Sequence, residues 1–385
     1  MGTPGRVIAL YALMYAAFGV SSPFMPAFLA SRGLGPEQLG ILFATGTAIR
    51  LVSGPLCGRL ADLTRALRAV MVTCTVLAGL IALALLPAAG FWPLLGISLL
   101  QAAALAPITT LADAIALGLT GPRAPGPRFE YGWARGAGSA AFIVGTLLIG
   151  QVVGRWGLPS ILVAHAALLM ASAVAGTRVP EPAHSDGPVD ETPHPSVGGV
   201  RELLGLRSFR VVMVVAALVL GSHAMHDAFA VIRWSAAGIS PAAASVLWSE
   251  SVAAEVAVFF LIGPPLLGRL GPAGVLALAA GAGVVRWVVM ALTAHVTVLA
   301  LIQPLHGLTF AALHLACMRL IAATVPRHLA ATAQALYAFG AAAATALLTV
   351  ASGWLYARLG AEGFLAMALL AAAAVPFTWR LRAPA

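Results

Sequence analysis

Eleven ionisable side chains stand inside stretches that are otherwise almost wholly apolar: Arg50, Asp113, Arg135, His223, His226, Asp227, Glu250, Glu255, Arg286, His306 and His314. A charge at the centre of a bilayer costs roughly 2.5–3.5 kcal/mol on insertion scales, so a chain carrying several has a use for them. A guanidinium grips a carboxylate through paired hydrogen bonds. Arg135 and Arg286, with Tyr11, Tyr15, Phe18, Trp133 and Tyr337 as aromatic company, therefore suit a small molecule with an anionic head and an apolar body. Opposite signs permit an Asp113–Arg135 pair early in the chain and a Glu255–Arg286 pair late in it. The stretch HAMHD, 223–227, sets His223 and Asp227 four apart, as two metal ligands on one helical face would be. No third ligand accompanies them, so no metal and no cofactor are expected, and the roles of His223, His226 and Asp227 stay open.

Arg135 lies in RFEYGWARGAGS, residues 128–139, among Gly132, Gly136, Gly138 and small Ala and Ser residues. Small residues let membrane helices approach closely, which favours an inward-facing arginine. Arg135 is also only a few residues into its apolar run, where an arginine can snorkel to the headgroups as an anchor. Arg50 suits an anion or helix-end carbonyls, Glu250 falls on a different face from Glu255, and His165 and His314 read as packing histidines.

The elements that must carry these residues follow from composition. The chain is 61% hydrophobic and 9% charged over 385 residues, against about 25% charged in soluble domains. About 20 apolar residues cross a ~30 Å hydrocarbon core as a helix, and twelve such runs lie near 7–30, 37–60, 68–88, 91–118, 133–154, 159–177, 208–232, 242–267, 272–292, 295–322, 329–356 and 361–379. Continuous runs such as VMVVAALVL lack the alternation of a membrane barrel. The first run is too long and too rich in proline and aromatics for a cleaved leader and reads as a retained helix.

Every positive side chain is an arginine. Outside the apolar runs, all but Arg32, Arg155, Arg233 and Arg358 fall at the termini or in even-numbered loops, which places both termini in the cytoplasm by the positive-inside rule. The formal charge of +9 therefore records topology, and no nucleic acid is expected as partner. Cys57, Cys74 and Cys317 sit in apolar runs as reduced packing residues.

Residues 179–206 concentrate proline, acid and glycine and form a linker that cannot bury a core. It divides the chain into six-helix bundles at 1–178 and 207–385, and PLCGRL at 55–60 returns as PLLGRL at 265–270, as duplication predicts. Two parallel halves around a central cavity are a transporter design. A membrane-embedded enzyme would need a clustered nucleophile and base or a metal set near one face, and a sensor would add a soluble domain; neither is evident.

The loop GRLADLTRALR, 58–68, resembles a signature loop of the major facilitator superfamily, with Gly58, Asp62, Arg65 and Arg68 at matching places and Ala66 in place of glycine. The resemblance implies a latch that breaks as the halves change conformation. FEYGWARGAGS resembles helix five of the lactose-permease and phenylpropionate-transporter branch, which implies that Arg135 binds substrate, with Asp113 in PITTLADAIAL as its acidic partner on helix four. AAEVAVFF, VVRWVV and LIQPLHGLTFAALH place the coupling residues of that branch at Glu255, Arg286 and His306, and TAQALYAFG, 332–340, is similar to its phenylpropionate members. Within that set Glu255 is the choice of proton carrier, with His306 as relay, because a carboxylate desolvated beside an arginine and a histidine can alternate between paired and protonated states; a fixed Glu255–Arg286 bridge is the other reading. The sugar transporters carry a proton-bearing acid three residues after the helix-ten histidine, where this chain has Thr309; their two helix-seven acids and their helix-eleven lysine are also missing. The resemblance thus implies a monomeric, multi-pass protein of the inner membrane that imports a small aromatic or other organic carboxylate with protons. Asp113, Arg135, Tyr11 and Tyr15 would contact substrate; a sugar or nucleoside is the alternative cargo.

Overall fold

The computed structural model describes residues 2–120, 130–182 and 197–381; Arg128 and Phe129 of the helix-five segment and 183–196 of the linker lie outside them. Every regular element among the described residues is helical. Ten helical stretches among the described residues are long and apolar enough to cross a membrane. Two of them, Pro241–Leu292 and Arg327–Trp379, run to 52 and 53 residues, more than twice what one crossing needs.

The chain divides into two compact units, Met1–Ser185 with Trp234–Ser249, and Asp186–Arg233 with Glu250–Ala385. The first is built on α1 (Thr3–Ser21), α2 (Met25–Ser31), α3 (Pro36–Thr64), α4 (Leu67–Ala84), α5 (Phe91–Gly118), α6 (Tyr131–Trp156) and α7 (Ser160–Thr177). Helix α1 packs on α6 and α7, α3 on α5, and α4 on α5 and α7. The α1–α6 contact is made by glycine: a Cβ added at Gly19 would stand 2.2 Å from the Phe142 carbonyl oxygen, and one at Gly145 would stand 2.7 Å from that of Ala16. The backbones touch where these two glycines lie, and Thr146 Oγ1 closes the seam by donating to Gly19 O at 2.9 Å. His165 is a packing residue here, buried, with Nδ1 on Ala17 O at 2.8 Å and Nε2 on Gln101 at 3.3 Å.

The second unit carries α8 (Val197–Gly205), α9 (Arg207–Gly221), α10 (Ala224–Ala236, up to Arg233), α11 (Pro241–Ala257, from Glu250), α12 (Gly263–Leu292), α13 (Val296–Ile302), α14 (Leu313–Thr324), α15 (Ala330–Leu359) and α16 (Phe364–Trp379). Helix α12 is interrupted at Gly271, whose φ of 65° suits glycine, followed by Pro272. Two wide π-helical turns interrupt the ladder, Val258–Ile262 after α11 and Gly307–Ala312 before α14. They touch each other. Gly307 permits it, since a Cβ there would lie 2.8 Å from Val258 Cγ2. His314 packs between Phe259 and Tyr337, 6.1 and 5.9 Å away by ring centroids.

Candidate functional site

In the first unit the ionisable residues converge around tyrosines. Asp113 Oδ1 accepts from Tyr11 OH at 2.5 Å and from Tyr131 OH at 2.8 Å. Arg135 donates Nη1 to Tyr15 OH and holds its guanidinium carbon 5.0 Å from the Tyr15 ring centre. Tyr11 and Tyr15, one α-helical turn apart on α1, stack at 6.0 Å, and Tyr131 meets Tyr11 edge-on at 6.3 Å. The expected direct Asp113–Arg135 ion pair is not formed among the described residues. Phenols stand between the charges, and the two hydrogen bonds they give Asp113 Oδ1 are each worth about 1.5–3 kcal/mol to a charged acceptor.

Tyr11 is fully buried with its hydroxyl committed to Asp113, so it positions that carboxylate. Tyr15 and Arg135 are half-buried. The Tyr15 ring reaches Arg135 because α6 offers it Gly138, where a Cβ would lie 2.9 Å from Tyr15 Cδ2; Gly132 and Gly136 face open space. Of the remaining aromatics, Phe18 packs on Tyr15 at 5.7 Å, Trp133 is exposed, and Tyr337 belongs to the core of the second unit. Tyr131 had no assigned role in the sequence, although it stands inside the quoted segment as the first residue of α6.

The loop of Gly58, Asp62, Arg65 and Arg68 follows a different wiring from an Asp62-centred one. Arg65 caps α3 with φ 50°, in the left-handed region, and no Cβ contact is demanded at Gly58. Asp62 is exposed. Arg68 takes its acid from the start of the linker: its backbone nitrogen donates to Glu181 Oε1 at 3.1 Å, Nε lies 3.5 Å from Glu181 Oε2, and Nη1 donates to Val179 O at 3.0 Å.

In the second unit Arg286, fully buried on α12, is the hub. Its Nη1 faces Thr309 Oγ1 at 3.0 Å, His223 Nε2 at 3.2 Å and His306 Nδ1 at 3.3 Å, and its Nη2 faces Gln303 Oε1 at 3.5 Å. The guanidinium carbon lies 4.5 Å from the Trp287 ring centre. Trp287 is itself fixed by donating to Ser222 Oγ at 2.8 Å. The partners of Arg286 are neutral acceptors in place of the expected Glu255 carboxylate. Glu255 connects one imidazole further out, its Oε2 3.6 Å from His306 Nε2.

The chain breaks between α9 and α10 at Ser222 and His223. His223 stands at the head of α10, its carbonyl accepting from Asp227 N at 2.9 Å, but the side chains part: His223 turns to Arg286 and Thr309, and Asp227 to His226 at 3.3 Å. No group of three metal-ligating side chains converges among the described residues. His223, Thr309 and Gln303 complete a cluster of which the sequence grouped only Arg286 and His306, together with Glu255.

An apolar helical chain that holds such charges inside its bundles is an integral membrane protein built to move a solute. It belongs to the major facilitator superfamily, with residues 6–366 matching the profile of the MFS_1 like family. It is 32% identical over 374 residues to the probable 3-phenylpropionic acid transporter of Escherichia coli strain K12, covering 95% of each chain. It is also 25% identical over 283 residues to the maltose permease of Geobacillus stearothermophilus, covering 73% of this chain and 69% of that one. Among solved structures, a mutant of the nucleoside transporter NupG superposes with a TM-score of 0.84 at 16% identity over 98% of each chain. A bacterial homologue of the human lysosomal transporter Spinster gives 0.75 at 16% identity, covering 97% of this chain and 95% of that one. The protein is thus a multi-pass membrane transporter of the secondary, facilitator kind and not an enzyme.

Proposed function

We propose that the protein imports a small organic carboxylate, aromatic ones such as phenylpropionate above all, by proton symport and alternating access. Arg135 carries this reading. It is half-buried, flanked by tyrosine rings, and engages one hydroxyl, which leaves most of its N–H donors for a carboxylate. The printed substrate of the Escherichia coli relative points the same way. Asp113, Tyr11 and Tyr15 contact the substrate with Arg135, and Glu255, Arg286 and His306 carry the coupling.

Gly58, Asp62, Arg65 and Arg68 form the latch, to which Glu181 is added. The two long stretches each count as two crossings, at Gly271 and at Gly360–Gly363, which makes twelve. Domains at 1–178 and 207–385, joined by 179–206, both termini in the cytoplasm, a monomer, and residence in the inner membrane complete the reading.

The test is uptake into proteoliposomes with an imposed inward proton gradient, offering labelled phenylpropionate, lactose and uridine. Phenylpropionate accumulates with the gradient. Arg135→Ala lowers its uptake about thirtyfold, the cost of about 2 kcal/mol for one charge-assisted contact, and Glu255→Gln removes the response to the gradient. Gradient-driven uptake of lactose or uridine without the carboxylate, or unchanged uptake in Arg135→Ala, overturns the assignment.

A further inference from the structure

The imidazoles around Arg286 have assignable protons. His223 Nδ1 faces two backbone carbonyls, Val219 O at 3.0 Å and Leu220 O at 3.2 Å, so it carries the hydrogen and Nε2 carries the lone pair. That lone pair meets the Thr309 hydroxyl at 2.9 Å and Arg286 Nη1 at 3.2 Å. His306 Nδ1 also faces Arg286 Nη1, a donor, so its hydrogen sits on Nε2 toward Glu255. Arg286 is therefore held by neutral imidazoles, and a proton added to either facing nitrogen sets two cations against each other.

Thr309 supplies what a proton on His223 needs. Its hydroxyl has two acceptors in reach, His223 Nε2 at 2.9 Å and His306 O at 3.2 Å. With His223 neutral, the hydroxyl hydrogen points to Nε2. With Nε2 protonated, the hydroxyl turns its hydrogen to the His306 carbonyl and accepts from Nε2, so no buried donor is stranded. Arg286 tolerates losing His223, because one Nη1 with two hydrogens is offered three acceptors.

We propose that His223, with Thr309 as its hydroxyl rotor, is a second proton-accepting site of this transporter beside Glu255, and that protonation of Nε2 releases Arg286. The proposal rests on the proton-symport reading and adds to it the imidazole on the break between α9 and α10. The proton comes to rest on the Nε2 lone pair, Nδ1–H stays on Val219 O, and the released guanidinium is one imidazole away from the Glu255 carboxylate. The charged and titratable groups around His223 are His226 and Asp227 on α10, Arg286 on α12, and His306 before the π turn, with Glu255 on α11 beyond it. Trp287 reports on the site, its ring 5.2 Å from His223.

The experiment uses that ring and needs no substrate. Intrinsic fluorescence of the purified full chain is titrated between about pH 4 and 9, a range that extends below that of an ordinary histidine, and the contribution of Trp287 is taken as the difference from Trp287→Phe. A titration that is lost in His223→Gln and kept in His226→Gln is expected. Thr309→Val leaves the imidazole in place and moves the midpoint about one pH unit lower, because it removes the acceptor of the charged Nε2–H. In proteoliposomes His223→Gln flattens the pH profile of phenylpropionate accumulation and Thr309→Val moves it to lower pH. A Trp287 signal that does not titrate, a titration surviving His223→Gln, or an unmoved midpoint in Thr309→Val overturns the proposal. Failure of carboxylate uptake with the titration intact instead removes the substrate assignment and leaves His223 standing.

Discussion

A carboxylate inside a membrane bundle needs partners, and Asp113 finds two phenols where charge counting offers an arginine. The two phenols are not equivalent. Tyr11 is fully buried, so Tyr11→Phe leaves the Asp113 Oδ1 short of a bond inside the core and lowers thermal stability by about 1–2 kcal/mol. Tyr131 is half-buried at the start of α6, so Tyr131→Phe changes stability little and raises the apparent KM for carboxylate several-fold; unfolding of the purified protein and uptake kinetics separate the two. The identity of the charged residues was legible in the sequence, because a charge in an apolar run is conspicuous by itself. Their wiring was not: a hydroxyl leaves no charge to count, and neither Tyr131 beside Asp113 nor His223 beside Arg286 is near in sequence to its partner.

At the scale of elements, glycines decide which helices touch. Gly19→Ala drives a methyl into the Phe142 carbonyl and costs about 1–3 kcal/mol as overpacking, whereas Gly136→Ala, facing open space, leaves thermal unfolding unchanged or slightly improved. Loss of stability in both, or in neither, would mean that the α1–α6 seam is not the close contact described. The extent of α5, Phe91–Gly118, was legible because length and apolarity are local properties. The interruptions were not. Ser222 and His223 read as helix interior, since nothing in HAMHD breaks a helix; the break follows from Trp287 and Arg286 holding those two side chains from α12.

For the whole molecule, orientation is the quantity that the arginines encode. Alkaline phosphatase fused after Trp156 is expected to be active outside the cytoplasm, and the same enzyme fused after Arg380 inactive; the opposite pattern would invert the topology. Trp92, Trp156 and Trp379 stand at helix ends, 76%, 69% and 60% exposed, where an aromatic belt meets headgroups. The Arg68–Glu181 pair is partly exposed, 39% and 27% by side chain, so it contributes at most about 1 kcal/mol and ties the linker reversibly. The two touching π turns have a larger consequence. Each is a helix with one residue to spare, like a ruck in a carpet, and a ruck can travel. Sliding the surplus back by a residue swings the side chain it passes through roughly 100°, the angle between successive α-helical positions. Glu255 and His306 each stand just upstream of such a slack turn, so either could be swivelled to another azimuth while both ends of its helix stay anchored.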